Sequence, residues 1–301
     1  MMPPPIPNPF RSARLPGSAQ KNLSKEKTML LSKCRKAVDT FAPPLGTGYR
    51  LLRDATNRRQ SKQTRYGFTL AGDPTMTQEG FETHEIEAFL ELMETHDAVV
   101  DIGANVGFYS CLAASRGKPT IVFEPSARNL NFLYRNLWEN QFADVEVFPL
   151  GLAGRSGLGR IYGFGGIASF VPGWAQAREA QSSLVPLTTL DTMAVGRFEN
   201  QKILIKMDVE GFELDVLAGA TETLSRTPKP TWLVEILLND EVIPGGISRK
   251  FAEAFAVFWK HGYRCRMLDA ERTPVSQADV GRWIANGSVD FATHDFLFSA
   301  D

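Results

Sequence analysis

Three short stretches carry the residues whose types and spacing can do chemistry. The first is Val99-Val100-Asp101-Ile102-Gly103-Ala104-Asn105-Val106-Gly107-Phe108. It reads as a strand handing over to a helix, and in an open α/β sheet that turn forms the ligand crevice. Gly103 lets the backbone turn tightly, and its missing side chain lets a ligand approach. Gly107 lets the helix pack close to the strand. The helix start at Phe108 offers unpaired N–H groups and a positive dipole end to a carboxylate. Asp101 can accept from an ammonium group or from the N–H groups of the turn. The second stretch, Phe123-Glu124-Pro125, follows about twenty residues later, where an acid can hold both ribose hydroxyls. The third is Lys206-Met207-Asp208-Val209-Glu210-Gly211-Phe212-Glu213. Lys206 and Asp208 share one side of a strand by period two. So many charges suit a buried strand end only if they serve a site or pair with each other. The plain structural alternatives are a strand–turn–helix without a ligand, a surface glutamate before a proline, and acids that favour a helix N-terminus.

A site for a carboxylate, an ammonium and a ribose together is a site for S-adenosylmethionine. The competing nicotinamide fingerprint is G-x-G-x-x-G. Here Asn105 replaces its second glycine, and Gly107 comes one residue early. That departure speaks against the alternative of a nicotinamide-dependent oxidoreductase or epimerase. A non-catalytic cofactor-binding module would not need Asp208 and Glu210. These two, with Glu235 at the end of a later strand, can take the proton of an acceptor hydroxyl or orient the donor's amine. Three acids could instead hold Mg²⁺, but nothing in the spacing demands a metal, so the metal-free reading is preferred. Glu235 could also simply pair with Lys206. His84, His96, His261 and His294 are scattered without ligand spacing and read as structural or exposed.

These residues need a scaffold that brings strand ends to one edge. Apolar runs at 98–102, 120–123, 145–150, 203–207 and 232–236 read as buried strands of a parallel sheet. Helical patterns at 86–93, 108–116, 127–140, 212–225 and 248–261 alternate with them. The fold class is therefore α/β, a mostly parallel central sheet with helices on both faces. Tyr263–Leu268 and Asp295–Ser299 would close it as an antiparallel C-terminal edge hairpin. Residues 152–190 break the rhythm, with strand-like pieces at Arg160–Tyr162 and Ser183–Leu187, and read as an insertion near the ligand edge.

The chain resembles the FkbM family of methyltransferases. The resemblance rests on Asp101 to Gly107, Phe123-Glu124-Pro125, Thr188-Thr189-Leu190-Asp191, Lys206 to Gly211, and Val216-Leu217-Ala218-Gly219-Ala220. It covers residues 65–300. Glu82, in Gly80-Phe81-Glu82, sits where that family often has an aromatic–Glu pair. Met207 stands where the family more often has isoleucine. The resemblance implies the Rossmann-like class I methyltransferase fold, S-adenosylmethionine as cofactor, and usually O-methylation of a sugar, polyketide or other natural-product hydroxyl. The expected cofactor set is Glu82, Asp101, Gly103, Asn105, Gly107, Phe108, Glu124, Pro125 and Asp208. The expected catalytic set is Asp208, Glu210 and Glu235, with no metal.

The bulk numbers set the boundaries. A chain of 301 residues with 43% hydrophobic and 22% charged residues can bury a large core. A net charge of −1 gives no global attraction to nucleic acid. Cys34, Cys111 and Cys265 form no CxxC pair, so a reducing, cytoplasmic setting is expected. No apolar run reaches transmembrane length. Residues 1–64 read as a Pro-rich basic extension, disordered over 1–20 and helical near 22–40. Residues 65–301 read as the methyltransferase domain, with the insertion near 152–182. In residues 1–72 fourteen Lys or Arg face three acids, leaving the remainder about −12. A solvated tail, an arm for an anionic partner and an organelle transit peptide all fit that bias. The expected partner is a small-molecule acceptor, bound by the variable loops at 60–85 and 152–182.

Overall fold

A computed structural model describes residues 60–300, apart from 164, 178, 241, 243–245, 249 and 289–292. The Pro-rich stretch and the helix expected near 22–40 lie outside the described residues. A small hairpin, β1 (Lys62–Gln63) with β2 (Thr69–Leu70), comes first. It leads to α1 (Thr83–Met93). The run Ala98-Val99-Val100-Asp101-Ile102 is β3, and α2 (Phe108–Ser115) follows it. Next come β4 (Thr120–Phe123), α3 (Ala127–Glu139) and β5 (Glu146–Phe148). The irregular region supplies β6 (Gly151–Leu152), β7 (Gly157–Tyr162) and β8 (Ser182–Thr188), and α4 (Leu190–Ala194) leaves it. The regular pattern resumes with β9 (Ile203–Met207), α5 (Glu213–Ala218), α6 (Thr221–Ser225) and β10 (Thr231–Glu235). The chain closes with β11 (Asn239–Asp240), β12 (Gly246–Ile247), α7 (Lys250–Lys260), β13 (Arg264–Met267), β14 (Pro274–Val275), α8 (Gln277–Asn286) and β15 (Asp295–Ser299).

The central sheet runs β14-β13-β15-β10-β9-β3-β4-β5. The strands β5, β4, β3, β9 and β10 are parallel, and β15 runs against both β10 and β13. The closing pair is thus antiparallel, as expected. It is not a simple hairpin, because β14 and α8 intervene and β15 inserts beside β10. From β3 the chain builds outward through β4 and β5, then crosses back to place β9 on the other side. The order of strands reverses between β3 and β9, and a crevice opens at their carboxyl ends.

Alternation along the strands sorts the core into two layers. Val100, Ile102, Ile205, Met207, Trp232, Val234, Phe296 and Phe298 face α4 to α8. Val99, Val122, Leu204, Leu233 and Leu297 face α1, α2 and α3. The helix expected over 212–225 is two helices that break at Gly219-Ala220. Asp191 accepts from the backbone N–H groups of Glu222 and Thr223 (3.0 and 2.8 Å) and so holds the start of the second. The Thr188–Asp191 motif is a structural joint of this kind, with Thr189 capping α4 through the Thr192 N–H. In the irregular region, β7 and β8 pair antiparallel with Arg160 opposite Leu184, and β6 joins β8 in parallel.

Asn136, fully buried on α3, makes three side-chain hydrogen bonds to two separate segments. Its amide accepts from Ala71 N–H and donates to the Ala71 and Val106 carbonyls, at 2.8, 3.0 and 2.8 Å. Asn136→Ala leaves these groups without partners, and we expect a loss of about 2–4 kcal/mol in chemical denaturation. A loss below 0.5 kcal/mol would show that water replaces the amide. At the start of α5, Glu213 accepts from the Gly211 N–H at 2.8 Å, and burial pushes its carboxyl up to about 7. The folded chain therefore holds a proton here that the unfolded chain releases near 4.5. Stability from this group is present at low pH and is lost as pH rises towards 7. Relative to wild type, Glu213→Gln should gain about 2–3 kcal/mol between pH 5 and pH 8. An unchanged difference across that range would refute it.

Candidate active site

The crevice at the carboxyl ends of β3 and β9 is lined by Gly103, Asn105, Glu124, Pro125, Asp208 and Glu210 from the expected set. Leu150, Leu152, Ile161 and Phe170 supply an apolar side. The glycine roles differ from the sequence expectation. Gly103 (φ +81) has its open flank filled by the chain itself, because a Cβ there would lie 1.8 Å from the Asp208 carbonyl oxygen. Asp208 N–H in turn donates to the Ile102 carbonyl at 3.0 Å. The bare backbone thus lets the two strand exits cross closely, while Gly103 still lines the crevice. At Gly107 (φ +85), a Cβ would strike Leu133 of α3 at 2.2 Å, so this glycine seats α2 on the next helix rather than on the strand. Phe108 points into an aromatic cluster with Tyr66, Phe68, Phe81 and Tyr109, away from the crevice.

Glu124 closes β4 and is almost fully buried. One carboxylate oxygen accepts from the Asn105 N–H at 2.7 Å and the other from the Ser126 N–H at 2.7 Å. Asn129 adds a side-chain hydrogen bond. Burial nevertheless pushes its carboxyl up to about 8. A carboxylate has roughly four lone-pair sites, so both oxygens keep capacity for further donors. The Asn105 side-chain oxygen is buried and has no hydrogen-bond partner among the described residues.

Period two extends the inner layer into charge. Asp101 follows Val99, Lys206 follows Leu204, Glu235 follows Leu233, and Asp295 precedes Leu297, so all four lie on the α1–α2 side of the sheet. Lys206 pairs with Asp295 at 3.0 Å, not with Glu235 as the sequence suggested. The antiparallel β15 begins where β10 ends, which brings Asp295 to this edge. Burial works to lower the Lys206 pKa, but Asp295, Asp208, Glu82 and Glu235 outweigh it and hold the amine charged. Its Nζ also lies 5.4 Å from the Tyr109 ring centroid. Asp101 accepts from the Ser110 hydroxyl at 2.5 Å, and burial raises its carboxyl to about 6. Glu82 starts α1 in a left-handed conformation (φ 37) and accepts from the Tyr109 hydroxyl. Burial raises it to about 7, against the pull of Lys206. Asp208 and Glu235 are hydrogen-bonded to each other, and the Asp208 charge pushes Glu235 far above the carboxylate range. Two such carboxyls share one proton. Among the described residues, no group of three or more His, Cys, Asp or Glu is arranged to hold a metal ion.

Glu210 stands apart from that cluster. Its carboxylate accepts from the Trp174 indole at 2.9 Å, and its carbonyl accepts from the Ser169 hydroxyl at 2.6 Å. The Trp174 ring lies on Gly211, where a Cβ would meet it at 2.3 Å. Phe170 and Phe212 are in ring contact at 4.9 Å. The irregular region is thereby fastened over the loop that leaves β9 and forms one wall of the crevice.

The structure thus brings Glu82, Asp101, Asp208 and Glu235 together and sends Phe108 and Gly107 into packing. Sequence reading missed Tyr109, Ser110, Asn129, Trp174 and Asp295. Tyr109 and Ser110 stood next to the turn, but their roles depend on α1 and β3 lying on either side of α2. His96 is structural, bridging the Leu92 carbonyl and Thr231 at 2.7 and 2.9 Å.

Residues 101–265 match the family described as Methyltransferase FkbM domain. A hexuronic acid methyltransferase, AglP of Haloferax volcanii, is 26% identical over 180 residues, or 58% of this chain and 69% of that protein. Among solved structures, methyltransferase FkbM from Methylobacillus flagellatus is similar over 68% of this chain and 44% of its own, with 17% identity and a TM-score of 0.36. Precorrin-6y C5,15-methyltransferase from Geobacter metallireducens is similar over 76% and 92%, with 12% identity and a TM-score of 0.37. The family match spans more than half of the sequence and contains the crevice motifs, so this chain belongs to the FkbM methyltransferase family.

Proposed function

We propose that this chain is an S-adenosylmethionine-dependent O-methyltransferase acting on a hydroxyl of a sugar or another small natural product. One observation carries the reading. Glu124 and the unpartnered Asn105 oxygen line the same crevice as Asp208, which is hydrogen-bonded to Glu235 within the acid cluster. These residues fit the cofactor. Glu124 would accept from the ribose hydroxyls, Asn105 would take a further donor, and the surplus of carboxylates over Lys206 would attract the ammonium end. The apolar flank at Leu150, Leu152 and Phe170 suits a purine. When bound, the cofactor supplies an electrophilic methyl group on a sulfonium.

The protein's share is positioning and proton transfer. Orientation can lower the barrier by several kcal/mol. The Asp208–Glu235 pair holds one negative charge, and Asp208 is its member at the crevice. A positioned carboxylate of this kind contributes about 10²–10⁴-fold as a general base. Glu210 is committed to Trp174 and would act through the wall it fastens. The relative AglP bears the name of a sugar-acid methyltransferase, which supports an acceptor of that kind here. No helix among the described residues is long and apolar enough to cross a membrane.

Calorimetry should show S-adenosylhomocysteine bound in the micromolar range, roughly −8 kcal/mol, with no binding of nicotinamide dinucleotides. Glu124→Ala should weaken it by about 1–3 kcal/mol. Tight nicotinamide binding without binding of the methyl-donor product would sink the reading. With labelled donor and a panel of saccharide acceptors, Asp208→Asn should lose at least about 100-fold in turnover. Glu210→Gln, which can still accept from the indole, should lose less than about tenfold. Full turnover by Asp208→Asn would remove it from the chemistry, and activity abolished by chelation would restore the metal route.

A further inference from the structure

A second concavity lies outside the crevice and is assigned no role by the reading above. It runs between the β1–β2 hairpin and the segment before α1, and is lined by Gln63, Arg65, Tyr66, Thr77, Gln78 and Phe81, among others. Its volume is about 390 Å³, within the range of ordinary small-molecule sites.

The walls are chemically mixed. Tyr66 and Phe81 both meet Phe108 edge-on, at 5.9 and 5.4 Å, so the core cluster fixes them. The Arg65 Nε donates to the Tyr66 hydroxyl at 2.8 Å, and its guanidinium lies 4.9 Å from that ring's centroid. Gln63 and Gln78 are exposed at the rim. Each amide presents two donors and an acceptor. One cation, Arg65, faces one acid, Glu79, so the groove has no row of positive charge for a nucleic-acid backbone. Half-buried aromatic rings beside amides and a hydroxyl match a polyol. The C–H faces of such a ligand need flat apolar surface, and its hydroxyls need paired donors and acceptors.

Position supplies the second argument. Phe81 lines the groove, and the next residue is Glu82. The Glu82 carboxylate turns inward to Tyr109 and lies in the field of Lys206, Asp295 and Asp208. Asp208 in turn lines the crevice. The groove lining and the acid cluster of the proposed reaction centre thus meet at consecutive residues, Phe81 and Glu82.

We infer that this groove binds the methyl acceptor as a sugar ring, with a ring hydroxyl directed past Phe81 towards Glu82. The inference rests on the acceptor reading above and assigns it a place. Gln63 and Gln78 take hydroxyls at the rim, Tyr66 and Phe81 flank the ring, and Arg65 is placed to meet a carboxylate where the sugar carries one.

The test is ligand-observed NMR on the full chain, saturated with S-adenosylhomocysteine. The probes are methyl β-D-glucopyranoside and the corresponding methyl glucuronide. Wild type should bind at least one of them, with Kd near 1 mM. The exposed double variant Gln63→Ala/Gln78→Ala should weaken that binding by about tenfold or more, with unchanged affinity for S-adenosylhomocysteine. Arg65→Gln tests the carboxylate contact: a selective loss of the glucuronide supports an acidic acceptor seated in the groove, and glucuronide binding unchanged from wild type overturns the placement of Arg65. Sugar binding that is unchanged in the double variant overturns the groove and leaves the acceptor class standing. Wild type that binds S-adenosylhomocysteine but neither sugar overturns the groove and the sugar class together and leaves the cofactor reading standing.

Discussion

Much of this structure follows from one buried lysine. An ammonium group 4% exposed would cost several kcal/mol if left alone, and the cost is offset only when partners are held in place. Lys206 lies in the centre of the sheet, flanked by Asp101 on β3 and by Leu233 on β10 in the strand register. Its ion-pair partner comes from β15, and the other acids of the cluster come from α1, β3, β10 and the exit of β9. Satisfying this one charge requires five elements to meet at the carboxyl edge of the sheet. The same requirement leaves a surplus of carboxylates there. Such a surplus is unfavourable for folding, because like charges buried together raise each other's pKa. Sites that bind cations or move protons are where such arrangements are found.

The wall of the crevice shows a different balance. Glu210 and Gly211, in the loop that leaves β9, both adopt left-handed backbone angles (φ 54 and φ 86). For glutamate that conformation is unfavourable, and it persists only where the surroundings over-determine it. Here the Trp174 indole, the Ser169 hydroxyl and the ring contact of Phe170 with Phe212 all act on the same short loop. The irregular region between β7 and β8 is thus an integral wall of the crevice. Its attachment to the family motif explains why glycine follows Glu210: any side chain would displace the indole.

Much of this was legible in the sequence, and the limits have physical causes. Fully buried parallel strands read as continuous apolar runs, so β3, β4, β9 and β10 stood out, and the first three lead into residues of the crevice. Residue type identified Asp101, Glu124 and Asp208, because an acid at the end of an apolar run has few structural uses. Partners were harder, since they depend on strand order. Lys206 could be matched to Glu235 by proximity in the list of acids. Only the placement of an antiparallel β15 beside β10 gives it Asp295 instead. The glycines show the same limit. Gly103 and Gly107 were read as openings for a ligand and a strand, yet the space beside each is taken by Asp208 and Leu133. A missing side chain signals a close approach without saying what approaches. The ten-residue α8 was missed for another reason: it is polar on average, and only Val280 and Trp283 mark its buried face.

Taken together, these features place the two halves of the proposed site side by side along one edge. Glu124 and Asn105 belong to the β3–β4 side, where hydrogen bonds from Asn105 and Ser126 pre-orient the carboxylate. Asp208 and Glu235 belong to the β9–β10 side, where the coupling between two carboxyls tunes a proton site. The Asp208 backbone joins the two halves, since its N–H bonds Ile102 and its carbonyl fills the space beside Gly103. A side chain at 103 would therefore do more than narrow the crevice: it would push the proposed proton-handling half away from the half proposed to hold the ribose. The turn glycine of β3 is in this sense a constraint on the distance between the two halves. That is a physical reason for a glycine at the end of β3, independent of any ligand that approaches it.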